Sequence, residues 1–177
     1  MNLLYIKKMN KKTELRLSAK ELRKSLDIGK ISASAVKSVR ENNLYINSNH
    51  IMLFYPTKYE INLLELLNDE KKFYLPRVNS NDLEVCPYKK DDMLKISELH
   101  IEEPQTQPID ANIIELVIVP ALMADKNNYR LGYGGGYYDR FLYGKNFNTI
   151  CTLPKELYVD NLPHENYDIQ IDEIIVV

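Results

Sequence analysis

Between Ile113 and Leu142 an apolar, partly β-branched stretch closed by Pro120 gives way to a polar loop, then to glycines at 132, 134, 135 and 136, then to a helical run from Tyr137. A strand that feeds a glycine-rich loop and a helix is the unit from which sheets covered by helices are built, and it sets the loop at the strand's C-terminal end. The glycines let the backbone turn tightly and approach a ligand, and amides ahead of a helix start can point at phosphate oxygens. Arg130 adds a cation beside that cradle. Tyr133, Tyr137 and Tyr138 offer faces for a planar heterocycle, and Asp139 suits either a divalent cation or the helix dipole. No Gly-Lys-Ser/Thr follows, which excludes a Walker A loop, and no GxGxxG with a later ribose acid fits.

The flanking sequence supplies the other layers. Leu15, Ala19, Leu22 and Leu26 recur at helical spacing over 12–26, and Lys12, Arg16 and Arg23 fall within roughly 40° of one another beside that apolar face. Asp27 suits an N-cap for a second helix carrying Ile28, Ile31, Ala35 and Val39, ended by Asn42-Asn43. Ile51 to Tyr55, closed by Pro56, reads as a buried strand, and Ile61 to Leu67 as a helix. Short strands are expected at Phe73–Leu75 and Leu83–Val85, the clearest strand at Ile113–Val119, and closing strands at Phe147–Leu153 and Ile171–Val177. Strands separated by helices predict an α/β fold with a mainly parallel central sheet.

With 177 residues, 45% of them hydrophobic, the chain has the apolar content for one core, and residues 9–177 read as one domain. Met9 opens MNKKTELR just before the first helix pattern, so residues 1–8 read as a disordered extension. The net charge of −2 gives no global field for nucleic acid, so any anion site must be local. The apolar run Leu3–Ile6 is too short for a signal-peptide core or a membrane span, and a cytoplasmic, membrane-free protein is expected. Cys86 and Cys151 form neither a CxxC pair nor a zinc cluster and read as reduced thiols. His50, His100 and His164 match no constellation and read as structural or solvent-facing; Arg140 reads as paired with a nearby acid.

The run Arg130-Leu-Gly-Tyr-Gly-Gly-Gly-Tyr-Tyr-Asp-Arg140, with the preceding Val119-Pro120 and Asp125, resembles the diagnostic motif of the 5-formyltetrahydrofolate cyclo-ligase family. Other segments follow in that family's order: Lys12-Thr-Glu-Leu15-Arg16 with Arg23 beyond it, Tyr55 to Glu60, Leu75-Pro76-Arg77-Val78, Glu103-Pro104, and Leu162-Pro163 with Asp168. The resemblance covers about residues 12–174. It implies a three-layer α/β/α sandwich and ATP-dependent, Mg²⁺-assisted cyclisation of 5-formyltetrahydrofolate to 5,10-methenyltetrahydrofolate, with ADP and phosphate released.

By the same resemblance Lys12 and Arg16 contact ATP phosphates, and Arg130, Leu131, Gly132, Tyr133, Gly134, Gly135, Gly136, Tyr137 and Tyr138 wrap the nucleotide. Tyr55, Glu60 and residues Tyr133 to Tyr137 face the folate; Asp139 and Asp168 hold Mg²⁺; Arg130, Tyr137 and Asp139 form the catalytic centre. The resemblance takes Lys12 and Arg16 out of the solvated helix edge to which Arg23 is assigned. Glu60 as a helix N-terminal acid is the plainer alternative. The chain departs from the family at Cys151-Thr-Leu-Pro154-Lys-Glu-Leu157, where the family shows a Gly, an aromatic and a Gln before its Leu-Pro, and this bears on the site wall expected there. Two other functions compete: a folate-binding protein of the same fold with weak or no turnover, and an RNA-binding platform of Arg, Gly and Tyr, which the acidic balance disfavours.

Overall fold

In the central strand of the sheet Ile51 belongs to one apolar core and Met52 to another, and this alternation sets the architecture. The same switch recurs at Leu116, Val117 and Ile118, and at Ile150 and Cys151. Side chains of a strand alternate between faces, so both faces of the sheet are covered. The computed structural model describes residues 10–98 and 100–177; the expected extension at 1–8 lies outside them.

The elements in chain order are α1 (Lys11–Lys24), α2 (Ile28–Arg40), α3 (Asn43–Ile46), β1 (His50–Met52), β2 (Lys72–Asn79), β3 (Asp82–Pro87), β4 (Leu94–Ile96), β5 (Glu102–Pro104), β6 (Leu116–Ile118), β7 (Met123–Asp125), β8 (Arg130–Leu131), α4 (Tyr137–Leu142), β9 (Asn148–Leu153), β10 (Tyr158–Val159) and β11 (Glu173–Val176). The main sheet runs β11-β9-β6-β1-β2-β3 and is parallel except for the β2–β3 hairpin. One face packs Ala35, Val36 and Val39 of α2; the other packs Ala19 of α1 and Leu142 of α4. The fold is therefore α/β with a mainly parallel central sheet, as expected.

Local chemistry places the helix starts. Asn10 accepts from Lys12 N at 2.9 Å, Asp27 from Lys30 N at 3.1 Å and Asn42 from Leu44 N at 2.9 Å, each satisfying an otherwise orphaned amide. Asn42 therefore starts α3 as well as following α2.

Several elements differ from expectation. The helix expected at Ile61–Leu67 is a short 3-10 turn, Leu64–Asn68, because the Asn62 side chain turns back to accept from Leu64 N at 2.9 Å. The strands expected at Phe73–Leu75 and Leu83–Val85 extend into one antiparallel hairpin that runs through Pro76. β1 pairs with β2 only as far as Tyr74, so the missing Pro76 N–H breaks no ladder bond with β1. The expected strands Ile51–Tyr55 and Ile113–Val119 shrink to three residues each, the latter preceded by a 3-10 turn at Ala111–Ile113. The loop read as merely polar contains β7 and β8, which with β10 form a second small sheet.

Candidate active site

β1 and β6 end toward a cavity of about 970 Å³, whose lining includes Tyr55 and Glu60 after β1, Pro120 after β6, and the loop from Arg130 to Asp139. Lys12, Arg16 and Asp168 line it too, so every residue expected in the site faces the same space. The volume lies within the range of small-molecule sites.

The loop is held by its carbonyls. Arg16 Nε donates to Gly132 O at 2.9 Å, Arg140 Nη1 to Gly135 O at 3.0 Å, and Arg140 N to Gly136 O at 3.1 Å. Among the described residues, none of the backbone amides from Gly132 to Gly136 donates to a protein acceptor. Polar backbone is normally paired, so a run of spare donors beside cations is a ready anion cradle. Gly134 at φ +111° and Gly136 at φ +67° adopt conformations that favour glycine, and a Cβ on Gly136 would meet Arg140 Nη1 at 2.8 Å. Among the described residues Arg140 pairs with no acid, contrary to expectation: its other bonds go to Asn81 O at 2.8 and 2.6 Å, and it stacks 5.0 Å above the Tyr137 ring. It therefore ties the β2–β3 turn to the glycine loop.

Arg130 is brought in by the β7–β8 hairpin, and fully buried Asp125 fixes that hairpin's turn. Asp125 accepts from Asn127 N and Tyr129 N at 3.0 Å each and from Leu162 N at 2.8 Å. Arg130 Nη1 donates to Asp139 Oδ1 at 3.0 Å and to Ile169 O at 3.3 Å, with only 3% of its side chain exposed. Ile169 N donates back to Asp139 Oδ1 at 3.1 Å, which brings Asp168 to the same corner. Lys12 Nζ contacts Asp168 Oδ2 at 2.5 Å and lies 5.7 Å from the Tyr167 ring centre.

Asp139 Oδ2 and Asp168 Oδ1 accept no protein hydrogen bond among the described residues, and no group of three metal-ligating side chains exists among them. Two spare carboxylate oxygens fall short of a closed metal cage. They suit Mg²⁺, which commonly takes one or two carboxylates together with substrate phosphates and water.

At the other end Glu60, 6% exposed, accepts from Thr57 N at 2.7 Å. It lies in a turn with no helix start beside it, so the helix-dipole alternative does not apply. Tyr133 shows 41% of its surface but turns its hydroxyl inward; burial first, and the Glu60 carboxylate second, hold that phenol well above its ordinary range. The Glu102 carboxylate, with burial adding, pushes Tyr55 up to about 12, so Tyr55 stays a neutral donor at physiological pH. Buried Glu103, which accepts from Val78 N at 3.2 Å, also lines the cavity.

Arg23 is not on a solvated edge: it is 3% exposed and donates to Tyr59 O, Ala121 O and Leu122 O. The departing segment, Cys151 to Leu157, lies in β9 and the turn after it and does not line the cavity, so it builds no site wall. Both cysteines are free and buried, and burial pushes the Cys151 thiol up to about 12. His50 bonds Tyr74 Oη at 2.8 Å and His164 stacks on Tyr129 at 3.8 Å, both structural contacts.

A model of the 5-formyltetrahydrofolate cyclo-ligase family matches residues 8–177. The 5-formyltetrahydrofolate cyclo-ligase of Haemophilus influenzae is 26% identical over 94% of this chain and 97% of its own length. That of Mus musculus is 27% identical over 90% and 85%. An NMR structure of Aquifex aeolicus 5,10-methenyltetrahydrofolate synthetase superposes with a TM-score of 0.81 at 25% identity, covering 93% of this chain and 89% of that one. The fold is shared also with a Mycoplasma pneumoniae 5,10-methenyltetrahydrofolate synthetase, with a TM-score of 0.71 at 23% identity, over 94% and 98%.

Proposed function

The chain belongs to the 5-formyltetrahydrofolate cyclo-ligase family, and from that premise we propose that it converts 5-formyltetrahydrofolate and ATP to 5,10-methenyltetrahydrofolate, ADP and phosphate. The observation that carries the reading is the run of spare amides from Gly132 to Gly136 in one cavity with Lys12, Arg16, Arg130 and a buried acid, Glu60. Spare amides and cations suit a polyphosphate. A buried carboxylate at the far end suits the N–H donors of a pterin ring.

The formyl group on N5 is amide-like, and its oxygen is a poor leaving group. That oxygen attacks the γ-phosphorus, the bond to the ADP oxygen breaks, and the carbon is left bonded to a phosphate ester. N10 then attacks the carbon and loses its proton, and the C–O bond breaks with its electron pair leaving on phosphate. The protein's task is positioning and charge neutralisation. Arg16 and the amides hold the phosphates, Arg130 faces the transferred group, and Asp139 keeps Arg130 aimed there. The rings of Tyr133 and Tyr137 flank the folate. Asp139 and Asp168 would hold Mg²⁺, whose charge neutralises phosphate oxygens when it is bound. Cytoplasmic residence suits this metabolism; among the described residues no helix is long and apolar enough to cross a membrane.

The direct test mixes the folded protein with 5-formyltetrahydrofolate, ATP and Mg²⁺ and follows the ultraviolet absorbance of the methenyl product. Product that depends on both ATP and Mg²⁺ is expected. Binding of the folate without any product would leave a folate-binding protein of this fold.

Arg16→Ala removes a side chain that both steadies the loop through Gly132 O and faces the phosphates. A charge-assisted hydrogen bond contributes about 1.5–3 kcal/mol, so kcat/KM for ATP should fall about ten-fold or more, with KM for the folate changed far less. An unchanged ATP constant would return Arg16 to an ordinary role on the helix surface.

A further inference from the structure

Arg23 is a buried cation without a counter-ion. Among the described residues no carboxylate lies within salt-bridge distance, and its guanidinium meets only backbone carbonyls: Tyr59 O at 3.2 Å, Ala121 O at 2.5 Å and Leu122 O at 3.4 Å. Its Nε–H is buried with no partner among the described residues. Burying an unpaired charge is costly, and an apolar side chain of similar volume would pack there without that cost. What the arginine joins is specific. Tyr59 directly precedes Glu60; Ala121 directly follows Pro120, which lines the same cavity.

The missing counter-charge is nearby. Glu60 is itself a buried carboxylate with no cation in contact among the described residues; it accepts from Thr57 N and lies beside the Tyr133 hydroxyl. The Tyr133 hydroxyl feels both groups, the Glu60 charge raising its pKa and the Arg23 charge lowering it. Arg23 and Glu60 therefore both lie near the Tyr133 hydroxyl, and Arg23 holds the residue that precedes Glu60.

Resting on the function proposed above, we infer that Arg23 is a positioning residue for the folate end of the site: it clamps the Tyr59–Glu60 turn to the 120–122 segment and supplies the positive charge that lets Glu60 stay buried and correctly aimed. It touches neither substrate. Its influence on the folate runs through Glu60, whereas the phosphate end draws its charge from other cations, Arg16 and Arg130.

The test compares Arg23→Met, neutral and similar in length, with Arg23→Lys, alone and combined with Glu60→Gln. Binding of 5-formyltetrahydrofolate and of ATP is measured separately by calorimetry, together with the two KM values. Arg23→Met should weaken folate binding about ten-fold or more while ATP binding stays within about two-fold, since the lost effect is one charge-assisted interaction. Arg23→Lys, which keeps the charge and part of the clamp, should recover part of the loss. Added to Glu60→Gln, Arg23→Met should weaken folate binding little further, because contacts that act as a unit are not additive.

Equal losses for both ligands, or full additivity with Glu60→Gln, would overturn the role. If Arg23→Met does not fold, Arg23→Lys carries the same comparison: a folate-only loss supports the clamp, and a loss shared with ATP refutes it. Wild-type protein that binds the folate yet makes no product would refute the proposed activity and leave this role standing; wild-type protein that binds no folate refutes both.

Discussion

Asp139→Asn is expected to cut kcat/KM for ATP by at least about 100-fold and to lower the melting temperature as well. The side-chain oxygen of asparagine can still accept from Arg130 Nη1 and Ile169 N, so shape survives and charge alone is removed. Arg130 is then left almost fully buried with its only carboxylate partner among the described residues neutralised. A hydrogen bond to a charged group contributes about 1.5–3 kcal/mol, and the lower part of that range applies to stability because Asp139 keeps 21% of its side chain exposed. For a chain of this size that lowers the melting temperature by roughly 3–8 °C. The activity loss is larger because, in the proposed reaction, Arg130 is aimed at the phosphoryl group as well as kept in place. A Mg²⁺ titration separates the two duties of Asp139: partial recovery at high Mg²⁺ assigns it a share in holding the ion, and no recovery restricts it to holding Arg130. Near-wild-type turnover with a lowered melting temperature would remove Asp139 from the active site.

How far the sequence could be read followed how local each cause was. α4 was legible to the residue, since a glycine at 136 and the Tyr-Tyr-Asp start are nearest-neighbour signals, and α2 was legible from its Asp27 cap. The hairpin through Pro76 was not, because whether a proline breaks a strand depends on how far β1 runs beside it. The duty of Asp125 was hidden for a similar reason. One of its partners, Leu162 N, is supplied by a distant segment, and no pattern around residue 125 encodes it. The charged stripe on α1 shows the same limit. Helical spacing put Lys12, Arg16 and Arg23 on one line, and the fold then sent Lys12 to Asp168, Arg16 to the glycine loop and Arg23 into the interior. The motif residues nonetheless converge on one cavity. The spare amides from Gly132 to Gly136 became visible only once Arg16 and Arg140 were seen to occupy the carbonyls.

Glu60→Gln tests the other end of that cavity and should give the mirror image of Arg16→Ala: KM for 5-formyltetrahydrofolate raised about 100-fold, KM for ATP within about two-fold. The carboxylate has one oxygen occupied by Thr57 N and lies beside the inward-turned Tyr133 hydroxyl. A carboxylate only accepts, whereas an amide replaces one acceptor with an NH₂ donor, so a pterin edge that presents N–H groups loses an attraction and meets a repulsion. Roughly 3 kcal/mol is reasonable for a charged hydrogen bond that becomes a donor–donor clash, which is the 100-fold stated. The free protein should not suffer in proportion. Glutamine can still accept from Thr57 N through its oxygen, and a buried charge is replaced by a neutral group that is cheaper to desolvate. A melting temperature at or modestly below wild type, since buried Arg23 loses its nearby counter-charge, with folate binding lost and ATP binding kept, is therefore the expected combination. Loss of ATP binding in step with folate would mean that Glu60 supports the cavity as a whole and reads no pterin.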